Sequence, residues 1–400
     1  MERRKDNKGR VLKQGESQRK DLIYQYRYTN TNGVRKTIYS SSLQELREKE
    51  KTLQKDLNNG IDYSKGNITV LELFTKYVKL KQNVKYNTKV NYKFVLNFVS
   101  KEQFGKRKIT TVKISDAKQW FVDIQKRGKK YNTIAKIKGI AKPAFQMACD
   151  DDIIMKNPFA FKMTDVVTND TEYRVALTNE ELLEWMTFIK NDNTYSVYYN
   201  EIVVLLETGI RVSEMCGLTF ADLDFDARQI HINRQLIKTK DRGLMVETTK
   251  TICGTRTIPM TNATYNALKI ILKNRPKVSK EYCVDGYTNF VFIQRNGEPK
   301  SAMHIQDAIS NANQKYKKTF PDKHLPKISP HVLRHTFCTN YANSGMSIKS
   351  LQYLMGHSDA NVTLNVYSHS SFPSAAKEML QMTNFEDKYT RGTDALHEST

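Results

Sequence analysis

The sequence has few acidic residues for its number of basic ones, and it has no long apolar run. Its 400 residues include 64 Lys and Arg against 42 Asp and Glu, a formal net charge of +22. No apolar run approaches the ~20 residues that span a bilayer, and the start MERRKDNKGR lacks the apolar segment of a signal peptide. We therefore expect a cytoplasmic protein with a polyanionic partner. A generally basic protein, such as a ribosome-associated factor, is the plainer alternative.

The cysteines and histidines do not predict a metal site. The five cysteines are single and far apart, without a CxxC pair, which favours reduced thiols over disulfides or zinc ligands. His331 and His335 have the spacing of a zinc-binding helix, but Val332 stands where the HExxH pattern needs its Glu. Because the sequence also has no nucleotide-binding P-loop, we expect no metal and no other cofactor.

The first 65 residues predict a small basic unit of sheet and helix. Residues 1–20 are polar and cationic without apolar periodicity, which predicts a mobile arm. Aromatic and polar residues then alternate on both sides of Asn32–Gly33, the dipeptide that a type I′ hairpin prefers. The segment SLQELREKEKTLQKDLNNG predicts a short helix after this hairpin.

Residues 66–162 predict a helical domain. Thr69 opens a capping box. The apolar stripe that follows it has helical spacing and consists of Leu71, Phe74, Val78 and Leu80. Further helices are predicted in NTKVNYKFVLNFV, in SDAKQWFVDI and in YNTIAKIKGIAKPAFQMACDD, the last broken or kinked by Pro143.

A polar linker, 163–176, leads to a second domain, 177–380, and a polar tail, 381–400. The segment TNEE at Thr178 caps the first helix of the second domain. Helices then give way to the β-prone runs QIHINRQLI, LMVETT and RTIPM before helices return. The chain is thus predicted to be multidomain and mainly α with small β-sheets, its last domain being mixed α+β.

The segment ISPHVLRHTF predicts an anion site at a helix N-terminus. Ser329 is a good N-cap and Pro330 suits the first helical position. His331 then lies in the first turn, with Arg334 one turn later on the same side. Backbone N–H groups and a guanidinium placed in this way can bind phosphate oxygens. By itself the motif fits equally a surface arginine beside a histidine in a capping turn.

Three further segments carry candidate residues. In LLETGIRVSEMCGL, Gly209 is predicted to end a helix in the left-handed conformation. The apolar surroundings place Arg211 at the edge of a core, where its charge needs an anionic partner or ligand, and Glu214 lies three residues on. Lys250 follows a β-run and, taken alone, is an exposed hairpin lysine. Tyr367 is one of 21 tyrosines, and the periodicity around it fits a helix or a strand.

Taken in order, these motifs resemble the catalytic set of the tyrosine recombinases, the lambda-type integrases. The motifs are GIRxSE (209–214), a hairpin lysine, HxxRH (331–335), LMGH (354–357) and VYSH (366–369). The N-terminal sheet unit resembles the arm-binding domain of the integrases of conjugative transposons and temperate phages. The helical domain would then be the core-binding domain, and the last domain the catalytic one.

The resemblance implies a site-specific DNA recombinase that acts through a 3′-phosphotyrosyl intermediate. Tyr367 would attack the scissile phosphate, surrounded by Arg211, His331, Arg334 and His357. The two guanidiniums would brace the non-bridging oxygens, His331 would take the tyrosine proton, and His357 would donate a further hydrogen bond.

The general acid and the supporting residues follow from the same resemblance. Lys250 would protonate the leaving 5′ oxygen, and Lys238 and Lys240 in the same β-region stay open as alternatives. Glu214 would orient the basic residues. The candidate DNA contacts on the helical domain are Lys89, Lys93, Thr133 and Lys136.

The implied partners are double-stranded DNA with core and arm-type sites, three further copies of the chain in a tetramer on two duplexes, and an excisionase-like directionality factor. The setting would be the cytoplasm of a bacterium, on the nucleoid when DNA is bound. Two alternatives remain open from the sequence. One is a type IB-like topoisomerase, and the other is a catalytically silent DNA-binding protein on the same scaffold.

Overall fold

The chain folds into two compact units, Met1–Glu172 and Tyr173–Thr400. The computed structural model describes residues 4–29, 35–58, 67–171, 175–249, 252–359 and 364. Helices with small antiparallel sheets make up both units, so the predicted class is confirmed. Within these ranges no helix is long and apolar enough to cross a membrane.

The first unit begins with an antiparallel sheet and one helix. Its elements are β1 (Glu16–Gln18), β2 (Tyr24–Thr29), β3 (Arg35–Ser40) and α1 (Leu43–Asn58). The central strand β2 pairs with β1 and with β3, and the predicted hairpin is confirmed by the register that places Thr29 opposite Arg35. The predicted Asn32–Gly33 turn lies outside the described residues.

The prediction of a mobile arm over residues 1–20 is wrong for the part of it that the structure describes. The buried Asp6 carboxylate accepts a hydrogen bond from Arg10 Nε at 2.8 Å. The buried Glu16 carboxylate in β1 accepts one from Arg47 Nε at 2.9 Å. Because the two buried carboxylates are paired with arginines that stay partly exposed, the segment folds without the apolar periodicity that the prediction required.

A helical bundle completes the first unit. Its helices are α2 (Val70–Leu80), α3 (Tyr86–Ser100), α4 (Gln103–Lys106), α5 (Ile114–Lys126) and α6 (Tyr131–Asp150). The Thr69 capping box is confirmed, but Leu80 at the end of α2 is 63% exposed and not part of the apolar stripe. The helix α6 runs unbroken through Pro143, because buried Ile140 and Ala144 on either side hold it in the core.

The segment 163–176, predicted as a linker, is packed at its N-terminal end, whereas Val175 near its other end is 68% exposed. Met163 and Val167 are buried in the core of the first unit, and the Asp170 carboxylate accepts a hydrogen bond from the Tyr131 backbone N–H at 2.8 Å. The core of the second unit then begins at Leu177, which is 3% exposed.

The second unit surrounds two small sheets with helices. Its elements are α7 (Asn179–Asn191), α8 (Tyr199–Thr208), α9 (Val212–Cys216), β4 (Leu223–Asp224), β5 (Gln229–Ile232), β6 (Arg234–Thr239), β7 (Gly243–Thr248), β8 (Arg256–Pro259), α10 (Asn262–Lys273), α11 (Ala302–Thr319), α12 (Pro330–Asn343) and α13 (Ile348–Met355). The strands β4, β5 and β8 form one antiparallel sheet, and β6 and β7 form a hairpin. The predicted Thr178 cap and the three β-prone runs are confirmed.

Candidate active site

The C-terminus of α13 holds three arginine side chains. Its last carbonyls, 354–356, each accept a hydrogen bond from a different guanidinium. Arg256 Nε donates to the first at 2.6 Å, Arg334 Nη2 donates to the second, and Arg211 Nη2 donates to the third at 3.1 Å. Such terminal carbonyls lack partners within their helix and form its negative end. The helix terminus therefore brings three positive charges to one place.

Gly356 allows the arginines to approach this closely. It caps α13 in the left-handed conformation, with φ 62° and ψ 44°, as its position after the apolar run predicts. A Cβ atom at this position would lie 2.9 Å from Arg256 Nη1 and 3.1 Å from the Cys253 carbonyl oxygen. A larger residue would therefore displace both the helix end and the turn before β8.

Arg334 projects from α12 into the interior of the second unit. Ser329 caps this helix by accepting from the Val332 N–H at 3.3 Å, and Pro330 occupies its first turn, as predicted. Arg334 is 7% exposed, and its Nη1 donates to the Gly209 carbonyl at 2.5 Å. Burial, and next the neighbouring Arg211, lower the pKa of Arg334 to about 9, so the guanidinium still carries its charge at neutral pH.

Arg211 lies at the turn between α8 and α9. The left-handed Gly209 ends α8 with φ 61°, as predicted, and a Cβ atom there would meet Phe337 Cδ1 at 2.4 Å. Arg211 Nη1 donates to Glu214 Oε1 at 2.6 Å. One third of the Arg211 side chain is exposed, 33%, so this guanidinium can also contact a ligand from solvent.

Glu214 is the buried counter-charge of two arginines. It is 3% exposed, and its Oε2 accepts from the Arg211 backbone N–H and from Arg256 Nη2, both at 3.0 Å. Burial raises the pKa of Glu214, but the attraction of Arg256 and Arg211 outweighs it, so the net shift of the pKa is downward. The carboxylate is therefore charged at neutral pH and fixes the position of Arg211.

His357, directly after the α13 cap, is paired with the buried Arg334. Its Nε2 lies 3.0 Å from Arg334 Nη2. Because a guanidinium can only donate, Nε2 is the acceptor and Nδ1 carries the proton. Burial, followed by the positive charges of Arg334 and Arg211, lowers the pKa of His357 to about 4.

Lowering the pH from 6.5 to 4 is expected to reduce the stability of the parent protein by more than it reduces the stability of a His357→Asn variant. In the unfolded chain the histidine binds a proton near its ordinary pKa of 6.5, whereas in the folded protein its pKa is about 4. Between these values the unfolded state binds more protons, so the contribution of His357 is complete above pH 6.5 and is lost as the pH falls toward 4. Melting temperatures measured across this range check the prediction. Equal slopes for the two proteins would contradict it.

The structure describes only some of the other candidate residues. His331 lies exposed in the first turn of α12, one turn before Arg334. Lys250 and Tyr367 lie outside the described residues. The alternative lysines, Lys238 on β6 and Lys240 in the turn after it, are both exposed.

The candidate DNA contacts lie on two helices of the first unit. Lys89 and Lys93 are exposed on α3, Lys136 is exposed on α6, and Thr133 on α6 is half-buried. In the described part of the chain no group of three or more His, Cys, Asp or Glu side chains could hold a metal ion.

Sequence reasoning missed Arg256. It is one of 64 basic residues, and no motif marks it. The sequence feature that could have identified it is its position on β8. Side chains alternate between the two faces of a strand, so Arg256 lies on the same face as Ile258, which is 2% exposed. An arginine on the inward face of a strand must be paired, because a buried charge without partners is costly.

The chain is similar to known integrases over most of its length. Residues 176–373 match the phage integrase family, and residues 1–57 match the DNA binding domain of Tn916 integrase. The transposase from transposon Tn916 of Enterococcus faecalis is 42% identical over 394 residues, which is 95% of this chain and 97% of that protein.

Solved structures show the same likeness. A Tn1549 transposon integrase fragment in complex with a circular intermediate DNA is 41% identical, with a TM-score of 0.75 over 78% of this chain and 99% of that chain. A lambda integrase tetramer bound to a Holliday junction is 15% identical and shares the fold, with a TM-score of 0.52 over 88% of this chain and 94% of that chain.

Proposed function

Because the chain belongs to the phage integrase family and is a site-specific recombinase, we propose that it cuts and rejoins DNA strands through Tyr367. The Tyr367 hydroxyl oxygen bonds to the scissile phosphorus as the bond from phosphorus to the 5′ oxygen breaks. One end becomes a 3′-phosphotyrosyl ester, and the other leaves as a 5′-hydroxyl. His331 takes the tyrosine proton, and a lysine supplies the proton of the leaving oxygen.

The observation that carries this proposal is the set of guanidiniums at the end of α13. Arg334 and Arg211 are held in place by hydrogen bonds to adjacent carbonyls, Arg334 to that of residue 355 and Arg211 to that of residue 356. Negative charge builds on the non-bridging oxygens as the phosphorus becomes pentacoordinate. Donors that are already in place stabilise this charge without reorganising at the moment of reaction. Guanidiniums suit the task because they stay protonated and match phosphate geometry.

The same arrangement supports the histidine role, and the lysine role rests on the family resemblance. With Nε2 of His357 accepting from Arg334, the donor that this imidazole offers to the phosphate is Nδ1–H. Lys250, in the connection between β7 and β8, is the proposed general acid. Lys238 and Lys240 are the alternatives, and substitution of each lysine in turn distinguishes the three.

Rejoining reverses the same chemistry on a second strand. The phosphotyrosyl ester keeps the energy of the phosphodiester, so attack by another 5′-hydroxyl restores the backbone and frees Tyr367. We propose that the protein in this way integrates and excises a mobile genetic element of the transposon kind, as the names of its relatives suggest.

The substrate is double-stranded DNA, which the net charge of +22 suits. Lys89, Lys93, Thr133 and Lys136 are proposed to contact core-type sites, and the basic N-terminal unit, 1–65, is proposed to contact arm-type sites.

Four copies act on two duplexes, with an excisionase-like protein setting the direction. The place of action is the bacterial nucleoid. Residues 66–162 and 177–380 form the core-binding and catalytic domains of this proposal.

The two alternatives are not favoured. A type IB-like topoisomerase or a silent DNA-binding protein would share the scaffold, but the relative that is 42% identical and the structure that is 41% identical are a transposase and an integrase. A topoisomerase also has no need of an N-terminal unit like the DNA binding domain of Tn916 integrase.

A suicide DNA substrate tests the proposal directly. The duplex spans the core site of the element and carries a nick just 3′ of the scissile phosphate, so that the short 5′-hydroxyl product diffuses away and the enzyme stays bound. The reaction is run with excess EDTA, and the expected result is a protein–DNA adduct that resists denaturation. Peptide mapping is expected to find the DNA on the Tyr367 peptide. No adduct on any cognate site, or an adduct on another residue, would overturn the mechanism.

A further inference from the structure

We propose that Arg256 is a positioning residue for strand cleavage, which holds together the backbone segments that carry Arg211 and His357. The inference rests on the proposed function and deepens it, because it names a residue that no motif marks. The observation behind it is a single buried guanidinium that bonds to two distant segments and to the turn just before its own strand.

Each nitrogen of the Arg256 guanidinium has a different partner. Nε donates to the Leu354 carbonyl of α13 at 2.6 Å, Nη1 to the Gly254 carbonyl at 3.0 Å, and Nη2 to Glu214 Oε2 at 3.0 Å. The Arg256 side chain is 0% exposed. It therefore cannot contact DNA, and it acts only through the groups that it holds.

The two distant partners come from segments that the reaction needs, and the third lies in the turn before β8. Glu214 binds the Arg211 side chain at 2.6 Å. Gly254 follows Lys250 in the connection between β7 and β8, and Leu354 precedes His357 at the end of α13. Arg256 therefore joins the segment of the proposed phosphate-binding arginine and the segment of the histidine to β8 in one rigid arrangement.

The planar guanidinium is needed for this geometry. A lysine has one nitrogen and cannot reach acceptors on three sides from one position, although it keeps the positive charge. A methionine has similar length but removes the charge, which leaves Arg211 alone to balance the buried Glu214. A displacement of a catalytic group by about 1 Å is enough to slow a reaction that depends on its position by ~100-fold.

The test compares variants of Arg256 with a matched buried arginine in the same unit. Arg275 is nine-tenths buried, binds the Glu281 carboxylate at 2.9 and 2.7 Å and the Phe290 carbonyl at 3.0 Å, and these partners are not residues of the candidate site. Arg256→Lys, Arg256→Met and Arg275→Lys are prepared as full chains. For each we measure the single-turnover rate of adduct formation on the suicide duplex, the affinity for the same duplex and the melting temperature.

Arg256→Lys is expected to form the adduct roughly 10- to 100-fold more slowly than the parent, with DNA affinity within about threefold of it. Arg275→Lys is expected to melt earlier, yet to react at close to the parental rate at temperatures where it is folded. Parental cleavage by Arg256→Lys, or an equal loss in Arg275→Lys, would overturn the proposal.

The pH dependence of the cleavage rate is a further measurement, and a simple loss of stability would not change its shape. Arg256 helps to hold the pKa of Glu214 down, so its replacement by Met raises that pKa. Protonation of Glu214 then releases Arg211 at a higher pH, and the acidic limb of the rate profile is expected to shift upward in Arg256→Met but not in Arg275→Lys. An unshifted limb in Arg256→Met would count against the proposal. Absence of the adduct in the parent would instead overturn the proposed function, and this inference with it.

Discussion

A Tyr367→Phe variant is expected to bind its DNA site with parental affinity and to form no covalent adduct. The substitution removes one oxygen atom, the proposed nucleophile, and leaves the phosphate-binding arginines in place. Removing a nucleophile of this kind lowers the rate on the order of 10⁴-fold or more, so the adduct falls to background. Denaturing gels of the suicide reaction measure cleavage, and a gel-shift titration measures binding.

The control for this variant is Tyr353→Phe. Tyr353 lies on α13, is 54% exposed, and its hydroxyl accepts a hydrogen bond from the Thr257 N–H at 3.2 Å. Loss of that one bond costs about 1 kcal/mol of stability and removes no proposed reactant, so the adduct is expected to persist. An adduct in Tyr367→Phe would show that another residue is the nucleophile.

Arg334→Ala is expected to lose both cleavage and stability. Two buried carbonyls, those of Gly209 and Met355, lose the donor that satisfies them, and an unsatisfied buried group costs ~1–3 kcal/mol. The free energy of unfolding should therefore fall by about 2–5 kcal/mol once the cavity is included. Removal of a donor that stabilises transition-state charge costs a further factor of ~10²–10³ in rate. Urea unfolding and single-turnover cleavage measure the two effects separately.

Arg334→Lys and Arg211→Ala separate the causes. The lysine keeps the charge but cannot reach both carbonyls, so its stability should lie between those of the parent and Arg334→Ala. Arg211 is 33% exposed and bonded to Glu214 and one carbonyl, so Arg211→Ala should slow cleavage comparably with a smaller loss of stability. Cleavage by Arg334→Ala within about tenfold of the parent would contradict its role in transition-state stabilisation.

The three arginines at the end of α13 divide their tasks by burial. Arg256 has no exposed side-chain surface, Arg334 is 7% exposed, and Arg211 is exposed over a third of its side chain. Accessibility to a phosphate rises in that order, and Arg211, the most accessible, makes two side-chain hydrogen bonds where Arg256 and Arg334 each make three. A substitution is therefore expected to affect folding most at Arg256 and Arg334 and catalysis most directly at Arg211 and Arg334.

Local chemistry explains which features could be predicted from the sequence. The caps at Thr69, Thr178 and Ser329 are confirmed, because each depends on a side chain three residues from its partner. The helix end at Gly209 is confirmed for the same reason, since a left-handed cap favours glycine whatever surrounds it. The fold of residues 1–20 could not be predicted by such local rules, because the buried Glu16 carboxylate in this segment is paired with the distant Arg47.

The sequence by itself determined the helix caps, the strands of the second unit, and a family resemblance based on four short motifs in order. Only the tertiary structure decided how the arginines are held and which of them a ligand can reach. Arg256 and Glu214 meet across 42 residues, and Arg334 and Gly209 across 125. Contacts over such separations depend on how the helices pack. The sequence contains 64 lysines and arginines, and the residues next to any one of them do not show whether it makes such a contact. Packing, and not periodicity, makes the C-terminus of α13 the place where three positive charges are brought together.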